Sequence, residues 1–94
     1  PAAVRPVAVI PGGDHIVAVA LAGRLRQAGF GVELGYSGNM KKRLQRANKL
    51  GARAAVILGE DEASRGAATL RDLDSGEQSE VPLAGIEDAL SHLR

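Results

Sequence analysis

The segment from position 36 to position 53 carries six cations and no acid. The cations are Lys41, Lys42, Arg43, Arg46, Lys49 and Arg53. A solvated helix usually mixes both signs, because oppositely charged residues four positions apart stabilise it. The segment opens at Tyr36, the only tyrosine of the chain, and an aromatic ring beside cations is what the stacking of a nucleic-acid base requires. The combination indicates a docking surface for a polyanion.

The spacing within this segment predicts a helix with two chemically different sides. Apolar residues recur at i, i+4 and i+7, and cations recur with the same spacing on the opposite side. The apolar positions are Met40, Leu44 and Ala47, and the cations are Lys42, Arg46 and Lys49. A turn at Ser37 and Gly38 precedes the helix. A basic run is often only a solvated helix face, and this alternative stays open.

Two acids, Glu60 and Asp61, follow the most apolar run of the chain, residues 54–58. A carboxylate can accept hydrogen bonds from the Watson–Crick edge of guanine, which is accessible in single-stranded RNA. Beside a cationic face, a carboxylate would repel phosphate and tolerate a guanine edge, which provides specificity. The alternative is that both acids are solvated or cap a helix.

The sequence offers little for catalysis. Its two histidines, His15 and His92, lie near opposite ends of the chain, and neither a Ser-His-acid arrangement nor a metal-ligand spacing is present. Gly12-Gly13 resembles a phosphate-binding loop only faintly, because the dinucleotide glycine spacing and the Lys-Ser/Thr pair are missing. These glycines can be explained by a tight turn. The alternative is that the chain is an enzyme that binds a nucleotide at this loop.

Composition predicts one small globular domain. The chain has 94 residues, of which 45% are hydrophobic, so we expect a single domain over 1–94, with 1–6 as the remnant of a linker. It has no cysteine, which fits a cytosolic, reducing compartment. No apolar run approaches the roughly 18 residues of a membrane span, and we expect neither a membrane nor DNA as a partner.

The net charge of +1 conceals a strong asymmetry along the chain. Residues 1–58 hold nine cations and two acids, which gives +7, and residues 59–94 hold three cations and nine acids, which gives −6. A dipolar domain of this kind attracts an anion to one face and repels it from the other.

Apolar periodicity divides the chain into alternating strands and helices. Strands are predicted at 7–10, 31–36 and 54–58, with the second near an edge and the third at the centre of the sheet. Helices are predicted at 14–28, capped by Asp14 and buried through Val17, Leu21, Leu25 and Ala28, and at 39–50. A polar stretch with room for one helical turn follows. It leads to a hairpin of 68–73 and 78–81 and to a last helix that starts at Pro82.

Right-handed crossovers make the first three strands parallel. The expected fold class is α/β, a three-layer α/β/α arrangement with a five-stranded mixed sheet, mostly parallel with one antiparallel strand, and three helices. The carboxyl ends of the parallel strands then share one edge, where ligands bind. The loops 11–14, 36–39 and 59–61 are predicted to meet there, together with the positive end of the basic helix.

Several motifs taken together carry a family resemblance. They are residues 32–38 (VELGYSG), Lys41-Lys42, 46–53 (RANKLGAR), 56–62 (VILGEDE), 69–73 (TLRDL), 76–78 (GEQ) and 81–83 (VPL). This set resembles the C-terminal anticodon-binding domain of histidyl-tRNA synthetases and covers nearly the whole chain. Synthetases for proline, threonine and glycine carry the same kind of domain.

The resemblance implies a domain that reads the anticodon loop of a histidine tRNA. Together with the charge pattern, it gives the expected RNA contacts Tyr36, Ser37, Gly38, Asn39, Lys41, Lys42, Arg46, Lys49 and Glu60. The domain itself would need no cofactor. ATP and Mg²⁺ would belong to the catalytic domain of the parent synthetase, which would be a homodimer.

Other interpretations of the sequence remain. The chain has no catalytic core of its own, so it is expected to be a piece of a synthetase or a free-standing relative. A free-standing relative could be a regulatory, small-ligand or protein-binding module. The equivalent domain of a prolyl-, threonyl- or glycyl-tRNA synthetase is the other alternative.

Overall fold

The computed structural model describes residues 5–13, 15–35 and 38–92. In chain order the elements are β1 (Val7–Pro11), α1 (His15–Gln27), β2 (Val32–Leu34), α2 (Met40–Lys49), β3 (Ala54–Leu58), α3 (Glu60–Ser64), β4 (Ala67–Asp72), β5 (Gln78–Pro82), a 3-10 turn (Leu83–Gly85) and α4 (Ile86–Ser91). The predicted helix cap Asp14 and the predicted contacts Tyr36 and Ser37 lie outside the described residues.

The strands form one sheet in the order β2-β1-β3-β4-β5. β1 pairs in parallel with β2 and with β3, whereas β4 pairs antiparallel with both β3 and β5. Four strands therefore run in one direction and β4 runs against them. This arrangement confirms the predicted mixed sheet, with Ala54–Leu58 at its centre and the second strand at an edge.

Side chains alternate between the two faces of the sheet, and each face has its own core. The core beneath α1 and α4 contains Val9, Leu25 and Leu90. The core beneath α2 contains Ile10 and Ala47. The three predicted helices are present on the two faces, and the polar stretch after β3 forms the short additional helix α3. The three-layer architecture is confirmed.

The first helix differs in one detail from its prediction. Leu25 is buried as expected, and Ala18 and Ala22 complete the buried face. The predicted stripe was wrong at Ala28, which is exposed and lies just beyond the last helical residue. Because the helix ends at Gln27, Ala28 does not continue its buried face and does not pack on the sheet.

The two sides of α2 are those that the spacing predicted. Met40, Leu44 and Ala47 pack against the core beneath the helix. The helix ends at Lys49, and Gly51 then adopts a φ of 76°. That left-handed conformation turns the chain toward β3.

The C-terminal end departs from the prediction at Pro82. This residue is the last of β5 and precedes the 3-10 turn, so α4 begins only at Ile86. Pro82 pairs with Ala67 at the end of the ladder, on the edge strand of the sheet. A proline is tolerated there because its missing N–H is needed least on an edge strand.

The longest described helix, α1, has 13 residues. Within the described ranges, no helix has both the length and the apolar character needed to cross a bilayer.

Candidate nucleic-acid interface

The ends of β1, β2 and β3 lie along one edge of the sheet, as the topology predicted. We call this edge the rim and define it by residues 11–13, 35, 38–43 and 59–60. The amide of Gly12 donates to the carbonyl oxygen of Leu58 at 2.8 Å, and the amide of Gly35 donates to that of Val9 at 3.0 Å. A Cβ at position 12 would lie 3.2 Å from the Leu58 oxygen. The glycine therefore has a packing role, since it lets two strand ends approach closely.

Arg43 connects two loops of the rim. Its Nε donates to the carbonyl oxygen of Gly38 at 2.9 Å, and its Nη1 donates to the carbonyl oxygen of Pro11. The planar guanidinium group presents its N–H donors in fixed directions, so it can hold two carbonyl acceptors in defined positions. The turn before α2 is thereby tied to the end of β1.

Sequence reasoning missed this role of Arg43. The residue counted as one of six similar cations, and its acceptors lie on distant or irregular segments. A signal was nevertheless present: at 100° per residue, position 43 falls beside the apolar side of α2 and away from the row of Lys42, Arg46 and Lys49.

The start of α2 carries two of the predicted contacts. Gly38 adopts a φ of 83°, which confirms a turn at this position. Asn39 is the N-cap of the helix, and its Oδ1 accepts a hydrogen bond from the amide of Lys42 at 2.9 Å. One of the free N–H groups of the helix start is thus satisfied internally. Asn39 stabilises the position from which the basic row begins.

The predicted cationic contacts are all on the surface of α2. Lys41, Lys42, Arg46 and Lys49 are exposed. Among the described residues, the three lysines form no ion pair. A helix holds them close together, so they create a positive potential over one side of α2 that an anionic backbone can use.

Glu60, the first residue of α3, lies against the first loop of the rim. A Cβ on Gly13 would come within 2.5 Å of Glu60 Cγ and 2.9 Å of its Oε1. The Glu60 side chain therefore passes close to the backbone of Gly13, and a larger residue at position 13 would require this side chain to move. This contact places the predicted base-reading group on the loop that Arg43 holds at Pro11.

Glu60 also lines a cleft of about 340 Å³ between α1 and α3. The other lining residues are Val17, Leu58, Ala63 and Ser64. Apolar walls suit the faces of a planar ring, and a single carboxylate can accept hydrogen bonds from its edge. The cleft has the chemistry needed to take one unstacked base.

The remaining candidate residues contribute less. Tyr36 and Ser37 lie outside the described residues, so base stacking on Tyr36 stays a prediction from the sequence. His15 and His92 are exposed, one at the start of α1 and the other after the end of α4. Over residues 5–13, 15–35 and 38–92, no group of three or more His, Cys, Asp or Glu side chains could hold a metal ion.

Ion pairs join the basic first part of the sequence to the acidic second part. Arg5 pairs with Asp74 at 2.8 Å, and Arg24 pairs with Glu87 at 2.6 Å. In each pair the hydrogen bond from the arginine is the main cause that lowers the pKa of the carboxyl group. Two further arginines, Arg53 and Arg65, also pair with acids. The lysines of α2 have no such partner among the described side chains.

Comparison with known proteins relates this geometry to a family. Residues 6–93 match the family described as "Anticodon binding domain". The histidine–tRNA ligase of Rhodospirillum rubrum is 52% identical over 89 residues, which are 93% of this chain and 21% of that protein. The histidine–tRNA ligase of Gluconacetobacter diazotrophicus is 47% identical over 95 residues, which are 99% of this chain and 23% of that protein.

The fold agrees with the sequence comparison. The crystal structure of histidyl-tRNA synthetase from Nostoc sp. PCC 7120 matches with a TM-score of 0.85 and 35% identity, over 94% of this chain and 22% of that one. The chain therefore spans less than a quarter of the length of these relatives. Since sequence and fold agree over nearly its whole length, this chain belongs to the anticodon-binding domain family, and within that family it resembles the domain carried by histidine–tRNA ligases.

Proposed function

We propose that this chain binds the anticodon loop of a histidine tRNA as the anticodon-binding domain of a histidine–tRNA ligase. The rim is the observation that carries the proposal. Arg43 ties the turn at Gly38 to Pro11, and Glu60 lies over Gly13 in the same loop. Lys41 and Lys42, which can attract phosphate, and a carboxylate that can test a base therefore lie at one edge of the sheet, and Arg46 and Lys49 follow along α2 away from that edge.

The remainder of the ligase belongs to the same proposal. The chain corresponds to 21% of the Rhodospirillum rubrum ligase, so the catalytic domain that uses ATP and Mg²⁺ would lie in the other part of a homodimeric parent. This domain would contribute tRNA selection and no bond-making step.

Affinity in this account comes from phosphate contacts on α2. Lys42, Arg46 and Lys49 lie on one side of the helix and are exposed. If these three residues neutralise about three phosphates of a single-stranded loop, they should contribute about −2 to the slope of the logarithm of the association constant against the logarithm of the salt concentration. Such contacts fix the position of the RNA and carry no sequence information.

Specificity comes from Glu60 and the cleft that it lines. A guanine edge offers two adjacent donors to a carboxylate, whereas the Watson–Crick edge of each other base offers one donor beside an acceptor. The Glu60 side chain is exposed and lies beside Gly13, so its carboxylate is accessible to a base at the rim.

Filter binding tests the proposal with the 94-residue chain. The RNAs are a histidine tRNA transcript and the same transcript with only its anticodon changed. We expect tighter binding of the first and the salt slope given above. Lys42→Ala should weaken the binding of both RNAs equally, since it removes a phosphate contact.

Arg26→Ala is the matched control, because it removes an exposed cation on α1 whose described hydrogen bond goes only to the carbonyl oxygen of Val32. It should leave both affinities unchanged. Equal affinity of the wild-type chain for the two transcripts, or binding that does not respond to salt, would contradict the proposal.

A further inference from the structure

A second groove lies between α2 and β4, on the opposite face of the sheet from the cleft at Glu60. It has a volume of about 220 Å³ and is lined by Lys41, Leu44, Gln45, Asn48, Arg71 and Leu73. Only Lys41 belongs to the contacts expected from the sequence. None of the six lining residues is an acid, so the groove does not repel phosphate.

The lining residues offer three kinds of contact. Leu44 and Leu73 pack against the core under α2 and give the groove an apolar floor. Gln45 and Asn48 are exposed, and each amide provides both donors and an acceptor. These groups suit the face and the edge of a nucleotide base.

Arg71 supplies the charge on the strand side of the groove. It donates to Oε1 of Gln78 at 3.3 Å, and it forms no ion pair with a side chain in the described ranges. Lys41 supplies the charge on the helix side. An anionic group between them would meet a cation from each wall.

The groove continues the cationic surface away from the rim. Arg71 pairs with Ala55 of β3, three residues before Leu58 at the rim. At 3.3 Å per residue, it lies about 10 Å below that edge. Lys41 is in the first turn of α2, directly beside Lys42. An RNA strand that leaves the rim along α2 would therefore enter the groove next.

We propose that this groove holds one unstacked nucleotide that neighbours the anticodon in the same RNA strand. The base lies over Leu44 and Leu73 with its edge toward Gln45 and Asn48, and the flanking phosphates contact Lys41 and Arg71. The inference rests on the proposed function, because the rim must hold the anticodon for the neighbouring nucleotide to reach the groove.

Directed cleavage of RNA tests this placement. The chain has no cysteine, so one Ser→Cys substitution provides a single thiol for an iron chelate that generates hydroxyl radicals. Ser75→Cys places the probe in the turn two residues beyond Leu73, and Ser64→Cys places it in the cleft at Glu60. Ser91→Cys, on α4 on the face of the sheet opposite α2, is the control.

With a histidine tRNA transcript, we expect the probe at position 75 to cleave nucleotides that flank the anticodon. The probe at position 64 should cleave the anticodon itself, and the probe at position 91 should cleave neither. Cleavage from position 64 without cleavage from position 75 would overturn the groove and leave the proposed function intact. If neither position gives cleavage, both proposals fail.

A binding measurement gives a second, independent test. Arg71→Gln should weaken the binding of the transcript and reduce the magnitude of the log–log salt slope by about 0.7, the loss of one phosphate contact. Lys41→Gln should give the same change, and it covers the case in which the Arg71 variant fails to fold. Arg26→Gln should change nothing. An unchanged salt slope in a folded Arg71→Gln or Lys41→Gln variant would overturn the inference.

Discussion

Arg43 acts through geometry more than through charge. Two of its hydrogen bonds join carbonyl groups that lie 27 positions apart along the chain, at Pro11 and Gly38. A lysine at this position would keep the charge but could not direct two donors at fixed angles. The residue is therefore a positioning residue for the turn in front of the basic row.

We predict that Arg43→Lys lowers both stability and tRNA affinity. The free energy of unfolding, measured by urea denaturation, should fall by roughly 1–3 kcal/mol, as expected when hydrogen bonds from a charged group are lost. Affinity should fall although the net charge is unchanged, because the turn is no longer fixed. Lys42→Arg is the control and should leave the unfolding free energy unchanged. Wild-type affinity in the Arg43→Lys variant would refute the positioning role.

At the residue scale, the sequence was sufficient to predict which side chains are exposed. It was not sufficient to predict which residues contact each other. Lys42 and Lys49 are exposed because helical spacing puts them opposite the buried side of α2, and this was predictable. The contact of Glu60 with Gly13 was not predictable, because the two positions are 47 apart in the sequence. In the sequence, Gly13 is typical of a turn or of a phosphate loop, and only the folded structure shows that a side chain passes close to it.

At the element scale, the end of α2 depends on Gly51. Its φ of 76° is rarely adopted by other residues, and no heavy atom lies within 4 Å of the position that a Cβ would take. A substitution there is consequently penalised by backbone strain alone.

We predict opposite effects for two Gly→Ala substitutions. Gly51→Ala should lower the free energy of unfolding by about 1 kcal/mol, since alanine must adopt a left-handed conformation. Gly23→Ala, inside α1 and with no atom within 4 Å of its Cβ position, should raise it by about 0.5–1 kcal/mol through helix propensity. Thermal and urea denaturation of the two variants check the pair. A stabilised Gly51→Ala variant would contradict the account of the helix end.

The elements themselves were mostly predictable because their apolar periods are clear. β1 and β3 are short apolar runs buried on both faces, and α2 alternates apolar and basic sides. The start of α4 was not predictable, because proline suits both a first helical turn and an edge strand. The pairing of Pro82 with Ala67 decides between these two options. This pairing is a tertiary contact, which local sequence does not determine.

At the scale of the whole molecule, charges that are far apart in sequence come together. Arg24 and Glu87 are 63 positions apart, and Arg5 and Asp74 are 69 positions apart. The sequence showed a basic first part and an acidic second part, but local spacing carries no information about contacts over such separations. The fold pairs much of that charge, and α2 retains an exposed cationic surface.

The hairpin between β4 and β5 should make stability sensitive to acid. The pKa of Asp72 is lowered, chiefly by the hydrogen bond from the backbone amide of Asp74, and further by the amide of Ser75 and by Arg53. Because the folded-state pKa lies below that of the unfolded chain, near 3.9, this contribution is present above pH 4. It is lost as the pH falls through the folded-state value.

We predict that Asp72→Asn lowers the melting temperature at pH 7 and makes it fall less steeply between pH 5 and pH 3, two buffer values that bracket the unfolded pKa of about 3.9. The amide can still accept hydrogen bonds but has no charge to titrate. Asp88→Asn, at an exposed position without an ion pair to a described residue, is the control. Parallel curves for Asp72→Asn and the wild-type chain would show that this carboxylate does not contribute to the acid response.

The base-reading role of Glu60 is tested most directly by the ratio of the Kd for the anticodon-changed transcript to the Kd for the histidine transcript, measured with Glu60→Gln. We expect this ratio to fall at least roughly fivefold, the loss of one two-point base contact, with the salt slope unchanged. Gly13→Ala should shift the ratio in the same direction, because its Cβ would displace Glu60. An equal loss of affinity for both transcripts, or an unchanged ratio, would show that Glu60 does not read a base while the cations of α2 hold the strand.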